Sequence, residues 1–207
     1  MIAALIARVA QFVCGPASVW HCDPHGPRQR IYFANHASHL DFVVLWSALP
    51  PARRRLARPV AGRDYWERSA LRRFFARRVF RAVLVDRNTD PRIDRAAAAA
   101  ASVEFMVGEM GQEFSLIVFP EGTRNATGAI GPFKSGLFHV ARARPDVELI
   151  PVYLHNLNRI LPRGESLPVP MLSRVVFGAP LERIPGETKD AFLSRARDAV
   201  LALKGES

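Results

Sequence analysis

Short apolar runs alternate with helix-period patterns along this chain, and that alternation restricts the fold more than any other feature. Residues 31–34, 82–85, 114–119, 147–154 and 173–177 read as strands, dense in Val, Ile, Leu and Phe. Residues 40–49, 66–80, 91–110 and 133–142 carry helical periodicity between them, and 188–204 closes the chain the same way. Asp90-Pro91 supplies a cap followed by proline at the first helical position, and Gly111 ends that helix. Strands in alternation with helices predict an α/β fold, with a largely parallel central sheet flanked by helices. No repeat or linker divides the 207 residues, enough for one domain with a real core. Pro151 cannot donate to a ladder, so the run containing it predicts an edge strand or a bulge.

The run 114–119 ends in F-P-E-G-T-R, residues 119–124. Pro120 cannot continue a central strand, and Gly122 admits backbone angles that other residues resist. The chain is therefore expected to turn sharply and present Glu121, Thr123 and Arg124 at the strand's carboxyl end, the edge where open α/β sheets bind ligands. An Arg fork beside a hydroxyl and free backbone N–H groups suits a phosphate. An ordinary strand-to-loop turn with one surface ion pair fits the same six residues.

Residues 35–41 read N-H-A-S-H-L-D. A spacing of five on a helix, at ~100° per residue, would separate His36 from Asp41 by ~140°. They meet if His36 lies in the loop and Asp41 in the first turn of the next helix. Asp41 then holds one imidazole nitrogen and leaves the other as a base, able to take the proton of an attacking alcohol. A turn histidine beside a capping aspartate is the structural alternative. His39 is a rival base, but it stands two residues from Asp41 and is expected to point elsewhere.

The formal charge is +10, and residues 53–87 hold twelve Arg against Asp64, Glu67 and Asp86. Such a patch calls for an anionic partner, membrane headgroups or nucleic acid. Part of it reflects a general preference, since the chain has 26 Arg and 3 Lys. No nucleic-acid motif accompanies the charge, so nucleic acid is not expected. Within 66–80, Trp66, Ala70, Leu71, Phe74, Phe75 and Val79 share one side of a helix, fitted to a bilayer surface or to a core.

Residues 1–13 are almost wholly apolar, with Arg8 and Gln11 on one helical face. About fourteen residues at ~1.5 Å each fall short of a ~30 Å hydrocarbon core, so a spanning helix is not expected. A helix in the membrane interface and a helix packed on the domain both fit. No secretory signal is expected, because no basic stretch precedes the run. The expected organisation is a membrane-associating segment over 1–20 and a catalytic domain over 21–207. Cys14 and Cys22 cannot form a disulfide framework and fit a reducing compartment. With His21 and His25 they match no usual zinc-ligand spacing, so no metal is expected.

Taken in order, N-H-x4-D at Asn35–Asp41, the strand ending Asp86-Arg87, F-P-E-G-T-R at 119–124 and the Ile150-Pro151-Val152 strand resemble the glycerolipid (lysophospholipid) acyltransferases, the family of bacterial 1-acylglycerol-3-phosphate acyltransferases. The resemblance covers roughly residues 31–155. It implies transfer of a fatty acyl group from acyl-CoA or acyl carrier protein to a lysophospholipid hydroxyl, with no further cofactor and no covalent acyl-enzyme. It implies His36 as general base and Asp41 as its partner. Arg87, Glu121, Gly122, Thr123 and Arg124 fall on or beside the acceptor-binding blocks, with Lys134 a second cation. It also implies a place on the cytoplasmic face of the inner membrane, peripheral or monotopic. The family's second block usually opens with glycine where this chain has Arg81, which leaves other acceptors open, a lyso-ornithine lipid among them. A non-catalytic anionic-lipid-binding protein would need neither His36 nor Asp41.

Overall fold

The structure is a computed structural model that describes residues 2–14, 17–38, 41–86, 95–124, 129–155 and 173–205. In chain order the elements are α1 (Ile2–Cys14), β1 (Ala17–Trp20), β2 (Arg30–Ala34), α2 (Asp41–Ala48), α3 (Pro51–Leu56), β3 (Ala57–Gly62), α4 (Arg63–Trp66) and α5 (Ala70–Phe74). A π-helical turn (Phe75–Val79), β4 (Val83–Val85), α6 (Arg95–Met110), β5 (Ser115–Val118), α7 (Gly136–Ala143), β6 (Glu148–His155), β7 (Arg174–Phe177) and α8 (Lys189–Ala202) follow.

Among the described residues the strands form one seven-stranded sheet in the order β1-β7-β6-β2-β5-β3-β4. Every pairing is parallel except β6 with β7. The expected α/β architecture with a mostly parallel sheet and flanking helices is what the chain adopts. Parallel strands need cover on both faces, and the central strands show why they have it. In β2, Tyr32 and Ala34 face one core while Ile31 and Phe33 face the other, as the two-residue period of a strand requires. Helices α1 and α2 and the π turn cover the first face through Ala7, Val44, Leu45 and Val79, joined by Leu49 just after α2. Helices α6, α7 and α8 cover the second through Met106, Met110, Leu137, Val140, Phe192, Ala196 and Val200.

Three expectations are corrected. Pro151 lies in β6, an interior strand flanked by β7 and β2. A residue's N and C=O leave a strand on the same side, and Pro151 O accepts from Gly178 N at 2.9 Å. The missing N–H thus faces the point where β7 has just ended at Phe177, and the sheet loses one bond at a ladder end rather than mid-strand. Residues 66–80 do not form one helix. Ser69 caps a fresh start by accepting from Arg72 N at 3.3 Å, and the chain then loosens into the π turn, with Phe80 N bonding Phe75 O at 3.0 Å. The change of phase sends Ala76, Val79 and Phe80 into the core and leaves Leu71 and Phe74 66% and 43% exposed. Lys134 precedes α7 rather than lying on it.

The basic segment is also partly structural. Arg53 is buried and donates to Arg28 O; Arg58 donates to Arg81 O and pairs with Glu109. Arg68, Arg73, Arg77 and Arg78 remain exposed around Leu71 and Phe74. Helix α1 packs on the domain through Ala7 and Ala10, which are buried, while Ile2, Leu5 and Val9 are at least half exposed. No described helix is long and apolar enough to cross a membrane.

Candidate active site

The site forms where β2 and β5 end side by side. The two strands pair in parallel with Ile31 opposite Leu116 and Phe33 opposite Val118, a constant offset of 85 positions. Carried three residues past Phe33 and Val118, that register sets His36 beside Glu121. Here the two loops join: the backbone N–H of His36 donates to Glu121 Oε1 at 2.8 Å. Asn35 secures the other flank, where its side chain continues the β2–β6 ladder. Its Nδ2 donates to Leu154 O at 3.2 Å and its Oδ1 accepts from Leu154 N at 2.8 Å.

Asp41 opens α2 and turns its carboxylate back over the preceding loop. One oxygen, Oδ2, accepts from Ala37 N at 2.6 Å and Ser38 N at 2.9 Å, and lies 2.7 Å from His36 Nδ1. An oxygen already serving two N–H donors is an acceptor, so Nδ1 is the donor, and in the neutral ring Nε2 presents a lone pair. The strand–loop–helix arrangement thus closes the five-residue gap. The side chain of Asp41 is fully buried, whereas that of His36 retains 20% exposure. The carboxylate is sealed from competing water, and the ring reaches solvent. Phe119 holds the ring from one side, with centroids 4.5 Å apart and planes tilted by 25°.

The turn after β5 takes the expected form. Gly122 has φ +71°, and its N–H bonds Phe119 O at 3.0 Å. A Cβ at Gly122 would lie 2.7 Å from Lys134 Nζ and 2.9 Å from its Cδ and Cε, so the lysine stem lies directly over the glycine. Lys134 N bonds Pro120 O at 2.8 Å, which fixes that approach. Thr123, Arg124 and Lys134 are exposed, and among the described residues neither cation has an acidic partner. Glu121 differs from the others in being buried. Its second oxygen accepts from Gly131 N at 2.9 Å, so both oxygens are committed to backbone N–H groups. Arg87 and His39 lie outside the described residues. Sequence reasoning anticipated the His36–Asp41 contact and the turn. It did not find Asn35 as a clamp, Phe119 as a wall, or the destination of the Glu121 carboxylate, because each depends on strand neighbours distant in the chain. Among the described residues no group of three or more His, Cys, Asp or Glu is arranged to hold a metal ion.

Such a site can remove a proton from a group held at Nε2, and the adjoining turn with the lysine packed over Gly122 supplies two exposed cations, Arg124 and Lys134. The chain matches proteins of known family over the same region. The model of the Acyltransferase family matches residues 25–155. The 1-acyl-sn-glycerol-3-phosphate acyltransferase of Escherichia coli K12 is 30% identical over 142 residues, 63% of this chain and 51% of that protein. The coconut (Cocos nucifera) 1-acyl-sn-glycerol-3-phosphate acyltransferase is 31% identical over 118 residues, 54% of this chain and 32% of that protein. The match thus spans about half or less of these curated relatives. In fold, the chain is similar to the crystal structure of the 1-acyl-sn-glycerophosphate (LPA) acyltransferase PlsC from Thermotoga maritima, with TM-score 0.66 and 18% identity over 97% of this chain and 78% of that one. With a family model covering well over half its length, this chain belongs to the Acyltransferase family.

Proposed function

We propose that this protein transfers a fatty acyl group from acyl-CoA or acyl carrier protein to the free hydroxyl of a lysophospholipid, 1-acylglycerol-3-phosphate in the first instance, to give phosphatidic acid. The 2.7 Å contact between His36 Nδ1 and Asp41 Oδ2 carries the reading. In this reading Asp41 fixes the tautomer, and His36 Nε2 takes the hydroxyl proton as the oxygen attacks the thioester carbonyl. The C–S bond then breaks, the thiolate leaves and takes the proton back from His36, and the ester remains. Arg124 and Lys134 are the acceptor-phosphate contacts in this reading, with Arg87 added by resemblance. Gly122 leaves the Lys134 stem its room, and Thr123 offers a hydroxyl beside Arg124. Glu121 holds the loop that carries His36 rather than touching the acceptor, since its oxygens are engaged by N–H groups.

The same reading puts the enzyme on the cytoplasmic face of a membrane. Ile2, Leu5 and Val9 of α1 and Leu71 and Phe74 of α5 are exposed, and α1 and the π turn that follows α5 pack against the same core. Exposed apolar residues ringed by arginine suit an anionic bilayer. The test is an assay of the detergent-solubilised protein pairing each acyl donor with a panel of lysolipids. Product from lysophosphatidic acid supports the proposal. Product from another lysolipid alone keeps the chemistry and moves the acceptor. No product from any pair, in folded protein, overturns it.

A further inference from the structure

The C-terminal helix lies beyond residues 25–155, the span of the family match, yet a line of hydrogen bonds joins it to the site. Arg197 of α8 directs Nε and Nη2 at one acceptor, Ile130 O, at 3.1 and 2.9 Å. Ile130 is buried in the same core as Phe192, Ala196 and Val200 of that helix. Its carbonyl belongs to the peptide group whose N–H is that of Gly131, and this N–H donates to Glu121 Oε2 at 2.9 Å. Arg197 and Glu121 therefore grip opposite ends of one planar peptide unit. The other Glu121 oxygen takes the backbone N–H of His36 at 2.8 Å.

The chain of contacts is short and directional. A cation at the carbonyl end polarises the peptide and strengthens the N–H bond at the other end. A Cβ at Gly131 would stand 3.3 Å from Glu121 Oε2, so the peptide and the carboxylate meet closely and a shift in one moves the other. The path runs only through Ile130 and Gly131. The sole acid near the guanidinium among the described residues is its neighbour Asp198, 3.8 Å from Nη1. That leaves Nε and Nη2 for the carbonyl.

We infer that Arg197 is a positioning residue for the His36 base, acting through the 130–131 peptide and Glu121. The inference rests on the reading of His36 as base. A purely structural tie between helix and loop predicts lower stability in an Arg197 variant and no selective effect on turnover. A positioning role predicts that turnover falls while acceptor binding holds.

The test uses the full chain in mixed micelles with acyl-CoA and lysophosphatidic acid, comparing Arg197→Ala, Arg197→Lys, Glu121→Gln, the double variant Arg197→Ala/Glu121→Gln, and His36→Ala. Arg197→Ala is expected to lower kcat about tenfold with acceptor KM within about twofold, because small displacements of a base are costly. Arg197→Lys, with a single point of contact, is expected to recover part of the loss. In the Glu121→Gln background, Arg197→Ala is expected to cost less than about threefold more, because residues acting in series are not additive. Wild-type kcat in Arg197→Ala, a change in KM alone, or the same tenfold loss in both backgrounds would overturn the inference. Should Arg197→Ala not fold, Arg197→Met, which keeps the stem and removes the donors, decides: reduced kcat at unchanged KM supports the role, and wild-type kcat overturns it. Activity retained by His36→Ala would remove the base itself, an outcome separable from any behaviour of Arg197.

Discussion

Glu121 Oε1 accepts the backbone N–H of His36 at 2.8 Å across 85 positions of chain. The acid of the turn after β5 therefore fixes the residue that follows β2, and it does so by the same register that aligns the two strands. Replacement of Glu121 by Gln would set an amide NH2 against one of two N–H donors. Loss of one buried partner costs about 1–3 kcal/mol, and displacement of the base is expected to lower kcat by at least tenfold. Urea unfolding and steady-state kinetics on the purified variant measure both. A wild-type kcat in Glu121→Gln would show that this bond does not position the histidine.

Arg81 has φ +50°, a left-handed conformation that costs a non-glycine residue about 1–2 kcal/mol. Its guanidinium lies 4.6 Å from the ring of Phe114, whose ring also faces Arg58 at 5.1 Å. Such contacts are worth about 0.5–1 kcal/mol when exposed. Arg81→Gly exchanges one effect for the other and is expected to change stability by less than about 1 kcal/mol. Arg81→Val loses the contact and keeps the strain, with a branched Cβ that tolerates positive φ poorly, and is expected to cost about 2 kcal/mol or more. Equal stability of the two variants in urea would contradict the assignment of strain to this position.

Leu71 and Phe74 stand exposed between Arg68, Arg73, Arg77 and Arg78. If they enter a bilayer, Leu71→Ser and Phe74→Ser should each weaken binding to anionic vesicles about tenfold, the cost of about 1.5 kcal/mol of apolar contact. Raised salt should weaken the wild type further by screening the arginines. Vesicle flotation reads both effects. Unchanged flotation in the double variant would move the membrane face elsewhere, with α1 the next surface to test.

Asp146 is held at about 2, below its ordinary 3.8, mainly by the hydrogen bond from Arg144. Arg144 also donates to Gly111 O and Gln29 Oε1, so this pair steadies the entry to β6. A carboxyl whose folded value is depressed adds stability that is fully present above about pH 4 to 5. That stability fades as pH falls toward about 2. The stability difference between wild type and Asp146→Asn should therefore be constant at neutral pH and close progressively below about pH 5. The aspartate is half exposed, so the difference should be small and should shrink with salt. A gap that stays constant down to pH 2 would contradict the pairing.

What the sequence disclosed was what local chemistry decides. The apolar runs disclosed β2, β4, β5, β6 and β7 but not β3, which lies between β5 and β4. The loop-to-helix boundary disclosed the His36–Asp41 contact, and the glycine of F-P-E-G-T-R the positive-φ turn. What it did not disclose depends on partners far along the chain. β1 has only Ala17, Ser18, Val19 and Trp20, no alternation, and exists by pairing with β7 more than 150 positions later. Pro151 looked like an edge residue because only the sheet order reveals where β7 stops. The break at Ser69 competes with a continuous helical pattern and wins through a cap and the burial of Ala76, Val79 and Phe80. That both Glu121 oxygens take backbone N–H groups, from residues 36 and 131, is likewise invisible in the sequence.

The most direct measurement is the rate of lysophosphatidic acid acylation by wild type and by His36→Ala, each shown to be folded by circular dichroism. General-base removal should lower kcat by about 10² to 10⁴ with vesicle binding intact. A His36→Ala protein that acylates at the wild-type rate would contradict the central claim, as would folded wild type with no acyl transfer to any lysolipid.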